Sequence, residues 1–174
     1  TSIFTELFKK AEGNWILPVL NVVIVNLRMI AKKVDMFHYD LFYQTTFKAD
    51  EALANQGQKI EKLEDAERLI KKCFPITMGD RSPLSQSKKW GALFIINNLF
   101  KTYFQVGVPY VSVNLVLTAV LQIVKQSSAC KNLIPYVKGA GFPDLSKFPI
   151  GQTVTYNYFV GRLSMFDGDY KSVW

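Results

Sequence analysis

The sequence predicts an all-α fold, and three observations predict it. Large apolar residues recur at helical pitch, as in Trp90, Leu93, Phe94, Phe100 and Phe104. Clusters of Gly and Pro punctuate the chain at helix-length intervals rather than strand-length ones. The β-branched runs, such as residues 22–25, lie inside longer apolar stretches with no turn residues at strand spacing. A chain of 174 residues suits one domain or one repeat array, able to bury roughly 70% of its unfolded surface.

The first helix is expected over residues 14–33, with the side chain of Asn14 capping it and Pro18 near the first turn, where a missing N–H does least harm. It is apolar on most faces, interrupted by Asn21, Asn26 and Arg28. That pattern reads as a helix buried between two neighbours, because the apolar run is too short and too polar to span a bilayer. Residues 51–73 read as an amphipathic surface helix. Leu53, Ile60, Leu63, Leu69 and Ile70 face inward, while Glu61, Lys62, Glu64, Asp65, Glu67 and Lys71 face water. Gly57 is its weak point or its start, and Glu67 with Lys71 makes a favourable i,i+4 pair.

Pro75, Gly79, Asp80, Ser82 and Pro83 then form a loop of helix breakers, with Ser82-Pro83 as cap and first residue of the next helix. Residues 87–104 form that helix. Gly107 ends it and Pro109 opens another over residues 110–125, with Asn114, Thr118 and Gln122 as a thin polar stripe. Residues 127–151 carry three Pro and three Gly and read as a long loop, with one short turn around residues 133–137. In the last segment Gly161, Gly168 and Tyr170 stand as Gly-x6-Gly-x-Tyr. Gly161 would let a neighbouring helix approach, Gly168 would end the helix in the left-handed region, and Tyr170 would pack the returning helix. Small residues and an aromatic at these intervals match a tetratricopeptide-type hairpin. Trp174 then falls one turn into the returning helix, whose apolar face needs a cover, so the parent protein is expected to continue. The opening Thr1-Ser2-Ile3-Phe4, without a start methionine or signal-peptide layout, reads as an excerpt of a longer protein.

Little in the sequence carries chemistry. His38 is the single histidine, and even with Asp35 and Asp40 nearby it reads as packing or surface rather than as a catalyst. Cys73 and Cys130 stand alone, without metal-ligand spacing, as reduced thiols of an intracellular protein. No Gly-x-Ser-x-Gly elbow or Gly-x4-Gly-Lys-Ser/Thr loop occurs, and Gly139-Ala140-Gly141 lacks the strand and third glycine of a dinucleotide site. No enzyme, no cofactor and no metal are therefore expected. The net charge of +7 lies wholly beyond residue 80, where ten basic residues face only Asp144, Asp167 and Asp169. A one-sided positive field draws polyanions. Lys88, Lys89, Lys101 and Arg162, placed near aromatics, are the candidate contacts, against the plainer reading that Trp90 is core and the lysines solvate.

Three blocks, residues 14–33, 87–104 and 154–174, resemble the PCI-domain family. The match rests on Asn14-Trp15, Leu17-Pro18, Leu27-Arg28, Lys88-Lys89-Trp90-Gly91, Phe100-Lys101, Tyr103-Phe104, Val160-Gly161-Arg162 and Met165-Phe166-Asp167. Together with Gly168 and Tyr170 these supply the structural motif. The branch resembled is that of the PCI subunit of the nuclear transcription-export complex and the signalosome subunit-twelve-like proteins. The resemblance implies a right-handed α-solenoid of tetratricopeptide-like hairpins over residues 1–174, followed by a winged-helix module expected after 174. It implies a non-catalytic scaffold subunit in nuclear mRNA export, bound to a scaffold protein and a small acidic proteasome-lid-type subunit. Nucleic acid would be bound through the full-length protein, in the nucleus and secondarily the cytoplasm, with no membrane partner. The alternatives are a subunit of another PCI assembly (signalosome, proteasome lid or initiation factor three) and a direct nucleic-acid-binding module using the basic second half.

Overall fold

A computed structural model of the chain describes residues 2–46, 61–106 and 127–168. Among them every regular element is helical: α1 (Ser2–Lys10), α2 (Leu17–Thr46), α3 (Glu61–Met78), α4 (Ala92–Val106), α5 (Ile134–Lys138) and α6 (Ile150–Phe166). Short 3-10 turns occupy Leu84–Gln86, Lys88–Gly91 and Leu145–Lys147. The expectations on Leu53, Gly57 and Ile60, on the helix over 110–125 with its polar stripe, and on Tyr170 and Trp174 fall outside the described residues.

The core is built around α4. Ala92, Leu93, Ile95, Ile96, Leu99 and Phe100 are all fully buried, so this helix touches neighbours on nearly every side. On one side lies α2, where Gly91 meets Leu17 closely: a Cβ on Gly91 would stand 2.7 Å from a Leu17 methyl group. Further along the same contact, Arg28 Nε donates to Asn98 Oδ1 at 3.3 Å. On a second side lies α3, joined by Tyr103 Oη donating to Glu67 at 2.8 Å. On a third lies α6, through Asn97 Nδ2 to the Gln152 carbonyl (2.9 Å) and the ring contacts of Phe100 with Tyr156 and Phe159. These pairings set α2, α4 and α6 running one way and α3 the other.

Some helix ends are satisfied across the bundle. The Asp35 carboxylate, on α2, accepts the backbone N–H groups of Lys62 and Leu63 and so caps the start of α3. Lys88 Nζ donates to the Phe8 carbonyl at 2.9 Å, near the C-terminus of α1, where orphan carbonyls favour a cation. The same ammonium lies 5.3 Å from the centre of the Phe8 ring. Between α3 and α4, Asp80 accepts from the backbone of Ser82 and Lys88 and from the Ser87 hydroxyl. Burial pushes this carboxyl up, but those hydrogen bonds outweigh it and hold Asp80 at about 2.

Several expectations are corrected. The first helix starts at Leu17 and runs to Thr46, well past residue 33. Asn14 does not cap it; its amide donates to the Ser85 carbonyl and ties the α1–α2 corner to the loop before α4. Gly13, with φ +78°, makes that corner, and α1 ahead of it was not foreseen. Pro75 does not stop α3, which carries it inside and ends at Met78. The cap before α4 is Ser87, whose side chain accepts from the Lys89 N–H, rather than Ser82. Nor is α3 merely a surface helix: Leu63, Ala66, Ile70, Cys73, Phe74 and Thr77 are buried, and Glu67 is taken up by Tyr103. Residues 127–151 are not a long loop. They are helical over 127–131 and again in α5, which agrees with the turn expected there, and they bury Cys130, Leu133, Val137 and Phe148 in the main core.

The helix end at Gly168 is as expected. Its φ is +71°, and the Asp167 and Gly168 N–H groups close back on the carbonyls of Leu163, Ser164 and Met165.

Candidate interaction surfaces

Two helix faces, on α2 and α6, carry stripes of large apolar residues that no other described residue covers. On α2 the inward side is Leu20, Ile24, Leu27 and Ala31. The outward side is apolar as well: Val19, Val22, Met29, Ile30 (61% exposed), Met36 and Phe37 (66% exposed). Trp15, at 65% exposure, stands at its entry, with Pro18 exposed beside it. A helix buried between two neighbours was expected; among the described residues only one side is covered.

The second face belongs to α6. Tyr156, Phe159 and Leu163 point into the core. Ile150 (83% exposed), Val154, Tyr158 and Met165 line the outward side, with Gly161 falling in the same stripe. Gly161 thus sits where a helix laid along this stripe would come closest. Phe166 is more than half exposed, yet its ring stacks on Phe104 at 6.3 Å.

The four candidate polyanion residues do not form one patch. Lys88 is buried and committed to the Phe8 carbonyl, which removes it from the surface. Lys89 is half-buried beside it. Lys101 lies roughly 20 Å along the same helix direction, half-buried toward α2, where burial and then the Arg28 charge push its pKa down. Arg162, on the α6 side, lays its guanidinium over Phe104 (4.3 Å) and nearer the edge of reach of Tyr158 (5.8 Å). Trp90 is half-buried; its Nε1 donates to the Leu84 carbonyl at 2.6 Å and its ring meets Phe148 edge-on at 5.2 Å.

Nothing described assembles a reaction centre. His38 is exposed against the edge of Phe37, and Asp35 is spent on the α3 terminus. Burial drives the thiols up, to about 11 for Cys73 and about 12 for Cys130, so neither offers a thiolate nucleophile at neutral pH. A shallow groove of about 570 Å³ along α3 is lined by Asp65, Arg68, Leu69, Lys71, Lys72 and Pro75. Two of its cations are paired, Arg68 with Asp65 and Lys71 with Glu67, the latter being the i,i+4 pair expected. Among the described residues no group of three or more His, Cys, Asp or Glu could hold a metal ion, and no helix is long and apolar enough to cross a membrane.

The chain is similar to PCI domain-containing protein 2 of Xenopus laevis, 31% identical over 163 residues, which covers 92% of this chain and 32% of that protein. It is similar to protein CSN12 homolog of Neurospora crassa, 33% identical over 165 residues, 90% of this chain and 32% of that one. With the PCI domain-containing protein 2 homolog of Dictyostelium discoideum it shares 40% identity over 120 residues, 68% of this chain and 24% of the other. The chain therefore spans about a third or less of the length of the curated relatives it matches. No family model and no solved structure matches it.

Proposed function

Because the chain is a homologue of the proteins named PCI domain-containing protein 2 and CSN12 homolog, we propose that it is a non-catalytic scaffold subunit of a PCI-type complex acting in nuclear mRNA export. The observation that carries the scaffold role is the pair of long bare apolar faces on α2 and α6, set around a shared core. A helical stack exposes such faces only where another layer docks, because a terminal layer needs a polar outer side. In this reading a large scaffold protein and a small acidic subunit are the partners. The excess of basic residues beyond residue 80 supports an acidic one. The stripe of α6, with Gly161 within it and the helix ending before Gly168, is the side on which the stack continues toward a winged-helix module, and nucleic acid is bound by the full-length protein.

The test is affinity capture of the tagged full-length protein from nuclear extract. Co-purification of a large helical scaffold protein with a small acidic one is expected. The second reading, a place in another PCI assembly such as the signalosome, is favoured by the name CSN12 among the relatives; capture of signalosome subunits in place of export factors would establish it. Recovery of neither set would overturn both.

A further inference from the structure

The outward residues of α2 are spaced in a way that specifies what lies on them. Val19, Val22, Asn26, Met29, Lys33 and Met36 follow one another at alternating intervals of three and four, and all six are exposed. That is the a/d seam of a coiled coil, the narrow stripe that one partner helix fills at a shallow crossing angle. Val25, Ile30 and Phe37 flank it as further apolar surface. Among the described residues, the chain neighbours of α2 do not occupy it. Phe8 of α1 and Ile70 and Cys73 of α3 belong to the core on which Leu20 and Ile24 also close, on the other side of α2.

We infer that this seam seats one α-helix of a partner protein, carrying apolar residues at coiled-coil spacing and a carboxylate opposite Lys33. The polar residues of the seam make the choice. Asn26 and Lys33 stand in its middle, where an apolar occupant would strand an amide and an ammonium without partners. An amide facing Asn26 and a carboxylate facing Lys33 satisfy both and fix the register. Lys32 adjoins Lys33, and this pair of cations outnumbers Asp35, the nearest described acid in sequence, whose carboxylate is turned to the start of α3. A parallel second copy of this chain would bring Lys33 onto Lys33, which repels. A membrane surface wants cations at the borders of an apolar stripe rather than along its centre line.

The inference rests on the scaffold reading, and the two fail separately. The probe is a synthetic helical peptide of four heptads with Leu at the seam positions, Asn facing Asn26 and Glu facing Lys33, made in parallel and antiparallel registers. Its twin carries Lys in place of Glu. Fluorescence anisotropy against the 174-residue chain should show the Glu peptide, in one register, binding at least about tenfold more tightly than the twin. Lys33→Glu should invert that preference, and Met29→Glu should abolish binding of both with the circular dichroism spectrum unchanged. Equal affinities, a preference that ignores Lys33, or no binding in either register would overturn the inference while leaving the scaffold reading standing. Sedimentation of the chain alone as a dimer that Met29→Glu dissociates would overturn it in favour of a second copy. Inverted charge preference alongside failure to capture any protein partner would uphold the seam and sink the scaffold reading.

Discussion

The surroundings of α4 and the outer side of α2 use similar side chains to opposite ends. Around α4, Ile, Leu and Phe are fully buried and most polar groups among them are engaged, Asn98 with Arg28, Thr102 Oγ1 with the Asn98 carbonyl and Tyr103 with Glu67, while Asn97 Oδ1 is left without a partner. On α2, Val, Met, Ile and Phe of comparable size meet solvent, with Asn26 and Lys33 exposed between them. The contrast separates residues that make the fold from residues the fold presents. Scattered apolar side chains on a surface need no explanation, but a continuous stripe along a helix does.

The comparison breaks if both regions respond alike to substitution. Phe100→Ala should cost most, about 4 kcal/mol in urea unfolding, since the ring is fully buried against Tyr156 and Phe159. Asp80→Ala should cost about 2 kcal/mol, because it strands three donors that now converge on one carboxylate. Its pH dependence has a defined sign. The folded carboxyl is held at about 2, below the usual 3.8, so its contribution is complete above 3.8 and drains as pH falls toward 2. Unfolding measured across that window should show a slope in the native chain that Asp80→Asn flattens. Tyr103→Phe should cost about 1 kcal/mol by removing the hydrogen bond to Glu67, whose charge, after burial itself, keeps the phenol pKa raised. Smallest of all, Met29→Glu and Val154→Glu should each change stability by no more than about 0.5 kcal/mol, although both are large apolar-to-charged changes. A loss of 2 kcal/mol or more in either would mean that these faces belong to the core after all.

Much of the fold was legible because its signals were local. The helical pitch from Trp90 to Phe104 gave α4, and Gly168 marked the end of α6 through the left-handed conformation that glycine adopts without strain. What was missed depends on contacts between distant residues. Asp35 and His38 look like interruptions after residue 33, yet no Gly or Pro follows Pro18 within α2, and Asp35 earns its place by capping α3 from 27 residues away. Pro75 reads as a breaker, but it lies one turn from the end of α3, between Phe74 and Thr77, both of which the core buries. Lys88 reads as a surface cation because its partner, the Phe8 carbonyl, is 80 residues earlier. The bare side of α2 was the harder case. An all-round apolar helix looks the same in sequence whether its second neighbour is its own chain or another.

Everything in the functional account depends on the α2 and α6 stripes being docking surfaces rather than spare hydrophobicity. The most direct measurement is affinity capture with full-length Val22→Glu/Met29→Glu and Val154→Glu/Met165→Glu proteins whose thermal unfolding matches the native protein. Each folded variant should lose at least one of the proteins captured by the native form. Folded variants that retain every partner at native yield would contradict it.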